Sequence, residues 1–306
     1  MKGIVFKKKG LWFVLGGLVL FSILIAIGFK YNRINLDIKD VMGIMTHKME
    51  LLSRMRINLF KSVEAEKMAV MADTDESSRA NADESQKAAD SLEKDRLELG
   101  MLIKKDSTEQ EIKLLDEFDR CWTEFRKIDR VLLDFAVKNM NIKAANLSFV
   151  KGSEAEKGFE DALHRLISDQ PSNKEGLQMD LMISKALAAG LKIHYLHAPH
   201  IAAANDDQMD KIEAEIKKNE GVIIRSLNEM KPLVLGKKQR SLREAGVAYE
   251  KLSKVTAQVI DLSRQNTNIK SFELSLGRKR KLTAQCDEIL LGLQEAVRSR
   301  SFKATR

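Results

Sequence analysis

The sequence predicts an all-α protein: an N-terminal transmembrane helix followed by two tandem antiparallel four-helix bundles with long helices. Three observations predict it. Only three of the 306 residues are proline (Pro171, Pro199 and Pro232). Proline lacks the backbone N–H and clashes with the preceding turn, so its scarcity permits very long helices. Aromatic residues make up only 6% of the chain, which argues against the aromatic, β-branched strands of a sandwich or barrel. Apolar residues instead recur at three- and four-residue steps, the period of a helix with one buried face.

The elements follow in order. Leu11–Phe29 is nineteen residues without a charge, long enough at about 1.5 Å per residue to approach the ~30 Å hydrocarbon core. Lys2, Lys7, Lys8 and Lys9 precede it, Lys30 follows, and residues 1–30 contain no acid. The positive-inside rule puts this N-terminus in the cytoplasm and the remainder outside. Ala26-Ile27-Gly28 offers the small residues of a signal-peptide cleavage site, but the apolar run exceeds the about 7–15 residues of a signal core. Residues 1–30 are therefore read as a cytoplasmic tail and uncleaved anchor, with one membrane crossing and an exported body.

That body reads as helices throughout. Residues 31–73 carry a stripe of Ile34, Ile38, Val41, Met45, Met49, Leu52, Met55 and Leu59. Residues 77–103 form a second helix, and Ser107 with Gln110 suggests a capping box for a third. The third runs from about 108 to 149, with Phe118, Trp122, Phe125 and Leu132 on its apolar face. Gly152-Ser153 is read as its break, before a shorter helix over 154–168. Asp169–Gly176 (DQPSNKEG) collects turn residues and marks the domain boundary. The domains expected are 31–170 and 171–306. Cys121 and Cys286 lie in helical patterns in different halves and are read as buried free thiols.

The plan repeats. Asn139–Ser148 (NMNIKAANLS) and Asn266–Ser275 (NTNIKSFELS) share six of ten residues at an offset of 127. A similar offset of 132 aligns Met68–Glu76 with His200–Gln208. A repeat this long implies tandem duplication, and four amphipathic helices per copy bury their stripes best as a bundle.

The repeated element holds the candidate site residues Asn139, Asn141, Lys143, Asn266, Asn268 and Lys270. Asparagine is a poor helix former, so two per turn need a reason. One is register-fixing by hydrogen bonds across helices. The other is a pocket in which Lys143 or Lys270 pairs with a small anion and the asparagines orient it. A second cluster, His194-x-x-His197-x-x-His200, has spacing that could converge on a metal ion or haem edge, although Pro199 is expected to interrupt the helix there. No metal or other cofactor is favoured, and the absence of CxxCH argues against covalently attached haem. Asp73, Asp75, Glu76, Asp206 and Asp207 sit at segment junctions, where carboxylates complement helix N-termini. No phosphate loop, zincin helix or nucleophile elbow occurs, so the chain is read as non-enzymatic.

A basic N-terminus, an anchor helix, a helical bundle and the stretch Phe118–Ser148 (FDRCWTEFRKIDRVLLDFAVKNMNIKAANLS) resemble the four-helix-bundle sensor domain of methyl-accepting chemotaxis receptors. The tandem plan is similar to the double-bundle variants of that domain. The resemblance implies a periplasmic sensor on the bacterial inner membrane that detects a small molecule, often an organic acid. It also implies a homodimer formed through anchor and bundle helices. Such receptors continue into a second transmembrane helix and a cytoplasmic signalling rod. The sequence has neither, so it is read as a truncated receptor or one acting with a separate receptor or kinase subunit. The competing reading is a membrane-anchored structural or adaptor protein that binds other helical proteins.

The net charge of +8 resolves into topology. Residues 1–30 hold +5, Arg278–Lys281 (RKRK) +4 and Val297–Arg306 +4, leaving the rest at −5. Nucleic acid is not expected as a partner. The C-terminal cations are instead expected to meet anionic lipid headgroups.

Overall fold

The structure is a computed structural model that describes residues 7–167 and 174–304; apart from Lys30 and Lys39, its described side chains run from Val41 to Arg300. The side chains of Leu11–Phe29, of Ile34 and of Ile38 lie outside that description, as does most of the Asp169–Gly176 loop. Among the described residues all regular structure is helical, and no helix is long and apolar enough to cross a membrane.

Ten α-helices follow one another: α1 Lys7–Met71, α2 Asp75–Lys105, α3 Glu109–Ala136, α4 Met140–Leu147, α5 Ser153–Ile167, α6 Lys174–Ile201, α7 Asp206–Met230, α8 Lys237–Arg264, α9 Thr267–Leu274 and α10 Arg280–Ala304. Their starts have local causes. Thr74 Oγ1 accepts from the Ser77 N–H at 3.1 Å, with Asp75 and Glu76 in the first turn of α2. Asn205 Oδ1 accepts from the Gln208 N–H at 3.0 Å while Gln208 Oε1 accepts from the Ala204 N–H at 3.0 Å, a reciprocal cap on α7. Asp206 and Asp207 sit in the first turn of α7, complementing the helix dipole. The cap of α3 is Thr108 rather than Ser107: its hydroxyl accepts from the Glu111 N–H at 3.2 Å.

Several expected boundaries move. The helix expected over 108–149 stops at Ala136. Gly152-Ser153 does not break the chain, because a π-helical turn at Ser148–Gly152 leads straight into α5. Pro199 does not interrupt α6, which runs on to Ile201. It lies in the last turn, where few intrahelical bonds remain to be lost.

The chain forms two compact units. The first comprises Met1–Ser62, Lys87–Glu124 and Leu282–Arg306; the second comprises Val63–Gln86 and Phe125–Lys281. In the first, Leu52, Met55 and Leu59 of α1, Leu92 and Leu99 of α2, Phe118 and Trp122 of α3, and Leu290 and Leu293 of α10 are buried. Polar links tie the same helices: Trp122 Nε1 donates to Glu93 at 2.8 Å, Arg56 Nε to Asp287 at 2.6 Å, and buried Lys48 to Glu111 at 2.7 Å. Cys121 of α3 and Cys286 of α10 are joined in a disulfide, with Cα atoms 5.9 Å apart. The expected free thiols are thus corrected. A sequence separation of 165 residues hides the pairing, which exists because α10 returns to α3.

In the second unit, Phe159, Leu163 and Leu166 of α5 pack with Ile183 and Ile193 of α6, Ile216 and Ile223 of α7, and Leu242 and Leu252 of α8. At Gly190 of α6 a Cβ would lie 3.0 Å from the Phe159 ring, so a larger residue would have to push that ring back. A smaller cluster joins Ala69, Ala82, Leu132, Leu133 and Ala136.

Sorting the helices by repeat copy exposes an exchange. α10, from the second copy, shares a unit with stretches of α1, α2 and α3 from the first. α5, from the first copy, shares a unit with α6, α7 and α8 from the second. The units therefore cut across the division expected at 170/171. Each takes the last long helix of the other copy.

Candidate functional site

The six candidate residues meet in the second unit at the point where each copy turns into its last stretch. α3 ends at Ala136 and α8 at Arg264; Asn139 and Asn266 then adopt left-handed backbone with φ of 50° and 52°. Asparagine tolerates this conformation better than other non-glycine residues, which explains why NxNIK ends a helix. Each turn leads into an eight-residue helix and then a five-residue π-helical turn, Ser148–Gly152 and Ser275–Lys279. The 127-residue offset thus holds in the backbone.

The two turns cap each other. The first N–H groups of a helix lack intrahelical partners. Here the Asn141 N–H donates to Asn268 Oδ1 at 3.1 Å, and the Asn268 N–H donates to Asn141 Oδ1 at 3.2 Å. Asn141 Nδ2 reaches Asn266 Oδ1 at 2.9 Å, and Asn268 Nδ2 reaches Asn139 Oδ1 at 3.0 Å. The Met140 N–H is taken by Thr267 Oγ1 at 3.0 Å. Outside this ring, Asn141 also donates to the Ile201 carbonyl and Asn266 to the Ala203 carbonyl, at 2.8 and 3.2 Å.

The lysines close the turns. Lys143 Nζ donates to the Lys138 carbonyl at 2.8 Å, and Lys270 Nζ to the equivalent Gln265 carbonyl at 3.0 Å. Lys143 also pairs with Asp75 at 2.9 Å. Asp75, held by Lys143 first and Asn139 second, has its pKa lowered from the usual carboxylate value. Buried amides satisfied in this way fix one register. Two surface grooves of this unit are lined by other residues.

The histidines do not converge on one point. His197, fully buried, contacts Ser148 Oγ through Nδ1 at 2.9 Å and Thr256 Oγ1 through Nε2 at 3.1 Å. His200 Nδ1 meets Ser263 Oγ, and its Nε2 lies 2.9 Å from Glu213. His194 turns its Nε2 to the Ser148 carbonyl at 3.3 Å. Both ring nitrogens of His197 and of His200 are thus engaged, and among the described residues no group of three His, Cys, Asp or Glu could hold a metal. Burial, followed by the nearby His194 and His200, lowers the His197 pKa to about 4. Gly152 makes room for this cluster, since a Cβ there would lie 3.3 Å from the His194 ring.

At the equivalent place in the other copy the chemistry changes. Lys279, in the position of Gly152, is buried and paired with Asp129, with its Nζ 3.8 Å from the Phe125 ring centroid. Glu66 is buried beside them, its carboxylate near the Lys279 cation and the Ser275 hydroxyl. Burial raises the Glu66 pKa, opposed by the Lys279 cation and the Ser275 hydroxyl. Burial lowers the Lys279 pKa, opposed by Asp129 and Glu66. Sequence reasoning missed this cluster, because Lys279 reads as one of four surface cations in RKRK. The repeat held the signal: it aligns Gly152 with Lys279 and Thr256 with Asp129.

A cationic groove lies between α5 and α8. The groove, of about 1120 Å³, is lined by Lys151, Arg165, Arg240, Arg243, Lys251 and Lys254 against two acids, Glu154 and Glu244. Its apolar lining is Ala155, Gly158, Val247, Ala248 and Val255. Glu244 pairs with Arg165 and Arg240, at 3.6 and 3.1 Å. Arg243 and Lys254 have no ion-pair partner among the described residues. Six clustered cations over a small apolar floor suit an anion with a short carbon skeleton. No protein-family model matches the chain, and no curated protein matches its sequence.

Proposed function

We propose that the protein is a non-enzymatic, membrane-anchored sensor module of chemoreceptor type with two four-helix bundles held in the periplasm. It binds a small organic anion and transmits the event through helix packing to a separate receptor or kinase subunit. The carrying observation is the cationic α5–α8 groove, whose uncompensated Arg243 and Lys254 suit carboxylate recognition. Two further features support the reading. α1 is one helix of 65 residues, roughly 100 Å long, so packing changes around its later turns have a stiff route toward Leu11–Phe29. The Cys121–Cys286 disulfide suits an oxidising compartment outside the cytoplasm.

The adaptor reading draws support from the asparagine turns, whose amides cap one another. A ligand that binds only the folded state raises its melting temperature. Screening the full chain in detergent against organic acids, amino acids and haem therefore separates the two readings. A carboxylate-specific shift lost in Arg243→Ala/Lys254→Ala supports the sensor. No shift with any compound sinks it and leaves the adaptor.

A further inference from the structure

α6 carries an apolar face that none of the described residues of its own unit covers. Leu177 and Tyr195 are 72% and 74% exposed, and Leu181 and Leu191 are also exposed. Between them, Ser184 and Ala188 are exposed small residues. The six positions are spaced 4, 3, 4, 3 and 4 residues apart, the alternation of a coiled-coil seam rather than scattered surface apolar residues. The opposite face of α6 is already buried through Met179, Ile183, Ala186 and Ile193. Bundle packing thus holds the exposed seam rigid, which reduces the ordering cost of docking.

We infer that this seam docks, in parallel, against α6 of a second copy of the chain. The charges select both partner and direction. In a parallel pair the residue before one seam position meets the residue after the next on the other helix. That brings Asp180 to Lys185 of the second copy on both sides of the seam. Lys185 is exposed, and Asp180 Oδ1 is buried without a hydrogen-bond partner in the isolated chain. An antiparallel pair centred on the same seam would instead set Lys185 against Lys192 of the second copy, a like-charge contact. Leucines at both ends with small residues between allow close approach at the centre. The inference rests on the sensor reading proposed above and gives the homodimer that the receptor resemblance implies a contact outside the membrane.

Disulfide cross-linking of the full chain in membrane vesicles tests it. Cys121 and Cys286 are already paired, so Leu181→Cys or Leu191→Cys adds one free thiol at an exposed position. Oxidation is expected to give a covalent dimer at twice the 34.6 kDa chain mass for each variant, and none for Lys217→Cys on α7. Asp180→Lys should lower the Leu181→Cys yield several-fold, and Asp180→Lys/Lys185→Asp should restore it. Cross-links only between Leu181→Cys and Leu191→Cys chains would overturn the parallel arrangement. No cross-link above the Lys217→Cys level, with light scattering still reporting a dimer, would overturn the seam and leave the homodimer intact. A monomer by light scattering would remove both.

Discussion

The two copies of the asparagine turn share a backbone and differ in what they bury. On one side Ser148 and Thr256 hold a neutral His197 beside Gly152. On the other, Ser275, Asp129 and Glu66 surround Lys279. The αL asparagine, the short helix and the π-helical turn recur because the turns cap each other, so neither can change alone. The buried groups behind them face no such mutual constraint, and there the copies have diverged from a hydroxyl–imidazole cluster to a charged one. The grooves on equivalent helix pairs diverge in the same way. The offset of 127 carries Cys121 to Ala248, Glu124 to Lys251 and Gly292 to Arg165. The α3–α10 groove contains Glu117, Glu124 and Glu288 with one disulfide cysteine, whereas the α5–α8 groove is cationic and has no cysteine.

The largest effect should come from that staple. The disulfide closes a loop of 165 residues, for which chain entropy gives about 5 kcal/mol. Cys286→Ser should lower the denaturant midpoint of the first unit, and an unchanged midpoint would show that the staple adds nothing. Next is Lys279→Ala, which leaves Asp129 and Glu66 buried without their cation. A loss of about 3–5 kcal/mol is expected by urea unfolding, against about 1–3 kcal/mol for Thr256→Ala on the histidine side. Equal losses would erase the energetic contrast between the copies.

Acid titration sharpens the contrast, because the two sides respond with opposite sign. His197 has a folded pKa of about 4, below its ordinary value of 6.5, so the unfolded state binds more protons between these values. Its contribution to stability is lost as pH falls from about 6.5 to about 4, up to about 3 kcal/mol. Glu66 has a folded pKa above its ordinary 4.5, so its contribution is present at low pH and lost as pH rises above that value. His197→Gln should remove the loss of stability that this imidazole causes between about pH 6.5 and 4, and Glu66→Gln should remove the loss that sets in as pH rises above 4.5, while carboxylates held low, such as Asp75, contribute equally in both variants. If both variants keep the wild-type pH profile of unfolding, neither group is linked to folding. The smallest effect is conformational. Asn266→Ala should cost about 2 kcal/mol through left-handed strain and the lost bonds to Asn141 and Ala203. Asn266→Gly loses the same bonds but relieves the strain, so it should cost less, and equal melting temperatures would refute the strain argument.

The helical class and the duplication were legible because both are local. Apolar period and scarce proline report helix, and six shared residues report the repeat. What the sequence withheld depends on long-range packing. Periodicity cannot say which copy's stripe covers which, so the exchange of α5 and α10 was invisible. Residues 108–149 scan as one amphipathic helix, and only the reciprocal caps make the break at Asn139 favourable. Lys279 looks like its solvated neighbours until Asp129 is placed beside it. The asparagines were singled out correctly as unusual, yet the cationic groove draws on α5 and α8, which lie far apart in the chain, and no single motif carries it.

The sensor reading rests on the α5–α8 groove, and a thermal-shift titration of the full chain with small dicarboxylates addresses it directly. At a hundredfold excess over Kd, the melting temperature should rise by on the order of 5 °C. Arg243→Ala/Lys254→Ala should abolish the rise, and Lys143→Ala or Lys270→Ala should leave it intact. A rise that survives loss of Arg243 and Lys254, or no rise with any organic anion, would contradict the groove as the sensing site.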